Sequence, residues 1–267
     1  MIGLVSEHGS CSYGPVILSE RHALIIDYLR LAERVEVAEL ARAVGTSEVT
    51  IRRDLEQLAE QGVLRRVRGG AVSLLARRQE PPFVFRELDN AEAKRRIGAA
   101  VAGLVRDGEA VVIDGGTTGL EVARALAGRR VTVMPLSLQA AHALAVAGPT
   151  RIIQAGGEVR PGELSVSGPL AEAGLRALRF DTAVLTCCGV SVEHGVTAYD
   201  PADASVKSVA ISLAARTILA ADGAKFARTA MAVVAPLERV DVLVTDAAAP
   251  PQTLDAVAAM GIEVHRA

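Results

Sequence analysis

Two stretches of the 267-residue chain hold side chains whose types and spacing suit chemistry. In GTSEVTIRRDLEQLAEQG, residues 45–62, Val49, Ile51, Leu55 and Leu58 recur at helical spacing and are expected to face inward. That leaves Ser47, Glu48, Thr50, Arg52 and Arg53 near the N-terminal half of the exposed face. Hydroxyls and a helix N-terminus suit phosphate oxygens, while a guanidinium can donate two hydrogen bonds to a guanine edge. Which of these side chains touches a base is left open. In the following VLRRVRGGAV, Arg65, Arg66 and Arg68 surround the Gly69-Gly70 pair, a turn thin enough to lie on a DNA backbone or in a minor groove. Such arginines can also simply solvate a small helical unit. Capped helix and arginine-tipped wing occur together in order, and this favours double-stranded DNA as the partner.

The second stretch is Asp114-Gly115-Gly116-Thr117-Thr118, which follows an apolar run and opens a helical pattern. Backbone N–H groups, two hydroxyls and a positive helix end then meet at one point, which suits a phosphate or another anion. Glycines at strand-to-helix turns also serve tight packing. The neighbours favour binding: Ser137 closes the next strand, Gly156-Gly157 the one after, and Gly189 and Gly195 bracket a later loop. Parallel strands bring such loops to one rim. Lys207 and the Asp222-Gly223-Ala224-Lys225 turn add charge there, Lys225 with the stronger case and Lys207 with a solvated surface position as its alternative.

Asp200 and Asp203 read either as sugar-hydroxyl contacts or as acids at a helix N-terminus, with the second favoured. Cys187 and Cys188 read as packing residues at a strand end. The five histidines show no metal-ligand spacing; only His194, beside Gly195, stands near the expected ligand rim. Neither a metal nor a cofactor is expected.

The elements that must position these groups follow from pattern. Residues 1–18 lack helical or strand period and read as a poorly ordered arm, or as the product of an upstream start codon. Ser19 is placed to cap a first helix with Ile25, Ile26 and Leu29 inward; a second runs from Val37 to about Val44 and stops at Gly45; a third is capped by Ser47 and ends at Gly62. Val63 to Val67 and Ala71 to Leu75 form a two-stranded wing turning on the two glycines. The trihelical layout plus wing defines a winged helix-turn-helix over 19–76. Residues 77–91, with Pro81-Pro82, are polar and kinked and suit a linker.

Over 92–267, short β-branched runs alternate with Ala-rich helical segments, which implies βαβ units and a Rossmann-like α/β domain with a mainly parallel sheet. Its strands are expected at Ala110 to Asp114, Val131 to Pro135, Arg151 to Ala155, Thr182 to Thr186, Thr217 to Ala221, Met231 to Val234 and Val242 to Thr245.

Bulk numbers agree with this division. Half the residues are hydrophobic but only 3% aromatic, as in sheets covered by helices and packed with small aliphatics. The formal net charge of −2 hides a local surplus: seven arginines between Arg52 and Arg78 face only Asp54, Glu56 and Glu60. Three cysteines give no disulfide framework, which suits a reducing cytoplasm. No signal-peptide core forms at the start, and no run reaches the roughly 18 apolar residues of a membrane span.

The run Ser47, Glu48, Val49, Thr50, Ile51, Arg52, Arg53, Asp54, Leu55, followed by Gly69-Gly70, resembles the Ser-x-x-Thr-Ile-Arg-Arg-Asp-Leu hallmark and Gly-Gly wing of the DeoR family of bacterial regulators. The later elements are similar to that family's sensor, a fold resembling sugar-phosphate isomerases. Its motifs match Asp114 to Thr118, Gly156-Gly157, Lys207 and Asp222, Gly223, Ala224, Lys225, Phe226. The resemblance implies a homodimeric or homotetrameric repressor of carbohydrate genes, with a sugar phosphate or related metabolite controlling its binding to operator DNA. One departure is Pro135-Leu136-Ser137, where many members have Thr-Asn-Ser; the lost amide alters the expected ligand chemistry. Two alternatives stand beside this reading. One is an isomerase or deaminase-like enzyme with a fused helical domain, for which Asp114, Asp203 and His194 are the only acid–base candidates. The other is an interaction protein with a degenerate pocket.

Overall fold

The computed structural model describes residues 20–31, 34–60, 64–73, 80–146 and 148–267. The expected arm 1–18, the Ser19 cap and the Gly62 stop lie outside them. The chain divides into two compact units, Met1–Leu74 and Leu75–Ala267.

In the first unit, α1 (Glu20–Leu31) buries Ile25, Ile26 and Leu29. A short strand, β1 (Arg34–Glu36), leads into α2 (Val37–Val44), which ends at Gly45 with φ of 71° and its N–H donating to the Ala41 carbonyl. Helix α3 (Glu48–Glu60) starts where Ser47 Oγ accepts from the Thr50 N–H at 3.2 Å. Ile51, Leu55 and Leu58 on it are fully buried. Strands β2 (Leu64–Val67) and β3 (Gly70–Ser73) complete an antiparallel sheet in the order β1-β3-β2.

Three expectations change here. Val49 is 58% exposed instead of inward, because two residues before Ile51 is about 200° round a helix of 3.6 residues per turn. The wing has a third strand, β1, too short for its alternation to register in sequence. The turn uses Arg68 and Gly69, and only Gly69 needs the left-handed region, with φ of 81°. Gly70 instead opens β3 opposite β1, where a Cβ would come within 2.0 Å of the Val35 carbonyl oxygen. Its lack of a side chain lets β1 pair.

The second unit opens with α4 (Phe83–Leu88), a helix inside the stretch expected as linker, and α5 (Ala91–Leu104). Then follow β4 (Ala110–Ile113), α6 (Gly116–Leu126), β5 (Thr132–Pro135), α7 (Leu138–Ala145) and β6 (Arg151–Ile152). The small hairpin β7 (Glu158–Val159) and β8 (Val166–Ser167) precedes α8 (Pro169–Arg176) and β9 (Phe180–Leu185). After β10 (Gly189–Ser191) and β11 (Gly195–Ala198) come α9 (Pro201–Ser212), β12 (Ala214–Ala220), β13 (Ala232–Ala235), β14 (Val242–Thr245), α10 (Pro251–Ala259) and β15 (Glu263–Arg266).

Seven strands form a parallel sheet in the order β15-β14-β12-β9-β4-β5-β6. Ile97 and Val101 of α5, Val122 and Leu126 of α6 and Leu144 of α7 pack on Val111, Val133 and Val184. Leu175 of α8 and Val206 and Ala210 of α9 pack with Val112, Met134 and Ala183, which point the other way from their strand neighbours. The sheet is therefore covered by helices on both faces, and buried strands of this kind read as continuous apolar runs. The run at Met231 to Val234 is the exception: β13 leaves the main sheet and pairs antiparallel with β11 in a separate three-stranded sheet. Among the described residues, no helix is long and apolar enough to cross a membrane.

Candidate nucleic-acid interface and effector site

Within the first unit, one ion cluster links the buried face of α3 to α1. Asp54 lies on the inward stripe of α3 and accepts from Arg21 Nε at 2.6 Å, Arg21 Nη2 at 2.9 Å and His22 Nε2 at 3.1 Å. Burial works against its charge, but the Arg21 hydrogen bonds outweigh that and hold its carboxyl below the usual range. The carboxylate thus ties α1 to α3. Sequence reading gave Asp54 no role, although an acid on an otherwise apolar stripe was the available signal.

The expected contact residues are placed as follows. The Ser47 and Thr50 hydroxyls bond to each other at 2.9 Å, and Arg52 pairs with Glu48 one turn back at 2.7 Å. Arg66 on β2 pairs with Glu56 of α3. Among the described residues, Arg53, Arg65 and Arg68 have no ion-pair partner. Exposed guanidiniums from α3 and from the wing are what a phosphate backbone attracts.

In the second unit, the loop after β4 builds the other candidate site. Asp114 Oδ1 accepts from the Gly115 N–H at 2.7 Å, and Oδ2 accepts from the Thr186 N–H and hydroxyl at 2.9 and 2.8 Å. Gly116, with φ of 82°, then starts α6. Lys207 of α9 reaches both Asp114 and Asp203 at 3.0 Å and is only 5% exposed. Burial disfavours its charge, yet the two carboxylates prevail and raise its pKa well above the ordinary lysine value. Lys207 is therefore a neutralised cation, not a solvated one and not a free anchor for an anion.

Four residues that sequence reading missed converge beside this loop. Arg86 of α4 pairs with Glu80 at 3.0 Å and with Glu163. Arg160 lies 3.5 Å from Glu80, 3.5 Å from Asp200 and 3.6 Å from Asp203. Burial, and Glu80 opposite, push the Glu163 pKa above the ordinary value despite Arg86. These groups and Gly115, Gly116 and Lys207 enclose a cavity of about 20 Å³. That is room for about one water. Three cations here face five carboxylates, Asp114, Asp200, Asp203, Glu80 and Glu163, so an incoming anion must take an arginine from a carboxylate.

The remaining expected residues do not line this cavity. Thr117 and Thr118 are buried in the first turn of α6, and Ser137 caps α7 through the Ala140 N–H. A Cβ on Gly157 would lie 2.7 Å from the Ser167 carbonyl oxygen and one on Gly189 would lie 2.2 Å from that of Arg228, so both serve close backbone packing. Gly156 precedes Gly157 in the same turn, with open space where its Cβ would be. Asp222 caps the following turn through the Ala224 N–H at 3.1 Å and accepts from Asn90 Nδ2 at 3.2 Å. Lys225 is half-buried, without an ion-pair partner among the described residues, and its charge is felt at Cys187 and Lys94. Leu136, the point of departure from the family pattern, is buried in the core. Exposed His194 lines a different groove, with Met231 and Val233.

Residues 21–76 match the DeoR-like helix-turn-helix domain, and residues 89–247 match the DeoR C-terminal sensor domain. Transcriptional repressor AccR of Agrobacterium fabrum is 36% identical over 229 residues, which cover 85% of this chain and 89% of that protein. The glycerol-3-phosphate regulon repressor of Escherichia coli is 32% identical over 233 residues, 87% of this chain and 92% of that protein. Ribose 5-phosphate isomerase A of Methanocaldococcus jannaschii superposes with a TM-score of 0.39 at 15% identity over 52% of this chain and 55% of that one, too loosely to bear on function. AccR and the glycerol-3-phosphate regulon repressor are named as repressors, and the enzyme alternative falls with the family they share. A DNA-binding head and a sensor body, each matched over most of its length, place this chain in the DeoR family of transcriptional regulators.

Proposed function

We propose that this regulator is a repressor of carbohydrate-metabolism genes whose hold on operator DNA is weakened by a phosphorylated sugar or a related anionic metabolite. The DNA-binding part spans 19–76, the connector 77–91 and the sensor 92–267. Helix α3 enters a major groove and the β2–β3 wing lies along the adjoining backbone. A single short helix reads too few bases for specific repression, so two heads on a homodimer or homotetramer bind paired half-sites. The setting is the bacterial cytoplasm.

The observation that carries the effector half of this reading is the convergence of Arg86 and Arg160 on the Gly115-Gly116 turn, at the carboxyl edge of the parallel sheet. Ligands of open α/β sheets bind at that edge. The phosphate takes over the guanidiniums now held by Glu80 and Glu163, and the sugar hydroxyls meet the carboxylates it displaces. The name of the glycerol-3-phosphate regulon repressor supports a small phosphorylated effector here too.

Gel-shift titration on DNA upstream of the protein's own gene, with and without a panel of hexose, pentose and triose phosphates, tests both halves. A salt-sensitive, sequence-specific complex released by one sugar phosphate is expected. A complex that no member of the panel alters overturns the effector half, and absence of any specific complex overturns the whole.

A further inference from the structure

The exposed ridge of α3 runs through Val49, Arg52, Arg53 and Glu56, opposite the stripe of Ile51, Asp54, Leu55 and Leu58. Val49 stands out on it. It is the most exposed large hydrophobic residue of the first unit's described residues, at 58%, and lies one turn before two arginines. A β-branched residue is a weak helix former, and methyl groups left in water contribute nothing to folding. Its position answers a different demand. The flanking charge suits only a polyanion: Arg53, and Arg65 and Arg68 on the wing, lack ion-pair partners among the described residues. The N-terminal residues of a recognition helix are also those that reach base edges.

Resting on the DNA-binding reading of α3, we propose that Val49 reads the 5-methyl group of a thymine in each operator half-site, while Arg52 or Arg53 contacts the neighbouring base or phosphate. In the major groove the thymine methyl is the apolar mark that an aliphatic side chain recognises. The Glu48–Arg52 pair, one turn apart at 2.7 Å, sits beside Val49 and keeps the first turn of α3 ordered before contact.

The experiment uses the full chain and a duplex that it selects from a random pool. Binding is followed by fluorescence anisotropy as each thymine is replaced in turn by uracil, which removes only the methyl. One thymine per half-site is expected to weaken wild-type binding about fourfold when demethylated, the worth of one buried methyl-sized group. Val49→Ala, whose exposed position spares the fold, loses the contact in both half-sites, so it should bind the thymine duplex about sixteenfold more weakly and be indifferent to uracil at that position. Wild-type indifference at every thymine overturns the proposal. So does a Val49→Ala protein that keeps the full uracil penalty, or one that weakens on all duplexes while changing its oligomeric state in sedimentation. A chain that selects no duplex at all defeats the DNA-binding reading beneath the proposal, an outcome separate from these.

Discussion

Asp54 sits where α3 faces the core, and its three charged or polar contacts decide what its loss does. Removing the carboxylate leaves His22 buried without that acceptor and Arg21 without its partner. A buried hydrogen bond to a charged group contributes about 1.5–3 kcal/mol, and Arg21 is partly solvated, which lowers its share. Asp54→Ala should therefore destabilise the first unit by about 2 kcal/mol, seen as faster hydrogen exchange of α1 and α3 amides in the full chain, with the second unit unchanged. Because the folded carboxyl titrates below its unfolded value, this stabilisation is present at neutral pH and is lost as pH falls through the folded pKa. Asp54→Asn should flatten that acid loss. Cys187 and Cys188 make a second case: burial pushes their thiols up to about 12 and about 11. With Cys11 replaced by serine, the native protein should not react with a thiol reagent at pH 8 until denaturant is added. Prompt reaction of either would show that the chain just after β9 opens freely.

At the level of elements, the parallel strands were legible because strands buried on both faces are continuous aliphatic runs, as Ala110 to Ile113 and Val242 to Thr245 show. Helix α4 was not legible: Pro81-Pro82 and its charged residues resemble a solvated connector, and of the two carboxylates that bury Arg86 one, Glu163, lies 77 positions away. No local pattern encodes such a pairing. For the same reason Lys207 read as an effector contact, with a solvated surface position as the alternative, and its pairing with Asp114 left no local trace. Lys94 holds α4 in place by donating to the Arg86 carbonyl and, at 2.5 Å, to that of Asp89. Burial, against the help of Asp222, lowers its pKa to about 8. Between pH 8 and the unfolded lysine value, the unfolded chain binds the proton more tightly, so stability rises with pH over that window. From pH 7.5 to 9.5 the wild type should gain about 2 kcal/mol relative to Lys94→Met, read from urea midpoints at each pH. Parallel curves would mean that the amine titrates normally.

For the whole molecule, the decisive feature is that the proposed effector cavity is closed by the protein's own ion pairs. An anion that enters has to compete with Glu80 and Glu163 for Arg86 and Arg160, and the segment carrying Glu80 and Arg86 is the one that follows the wing in the chain. On the proposed reading, effector binding and the arrangement of that segment are parts of one equilibrium, and the ligand shifts it only by its difference in affinity for the two forms. Two substitutions move this balance in opposite directions. Glu163→Gln removes a competing carboxylate and eases opening, so a given sugar phosphate should release operator DNA at a concentration about tenfold lower, the equivalent of roughly 1.4 kcal/mol. Arg86→Met removes a cation that the phosphate needs and should raise that concentration by at least as much. Anisotropy titrations of labelled operator against the releasing sugar phosphate measure both. If the two variants shift the release curve in the same direction, the ion pairs act only as structural clamps, and the phosphate binds elsewhere on the sheet edge.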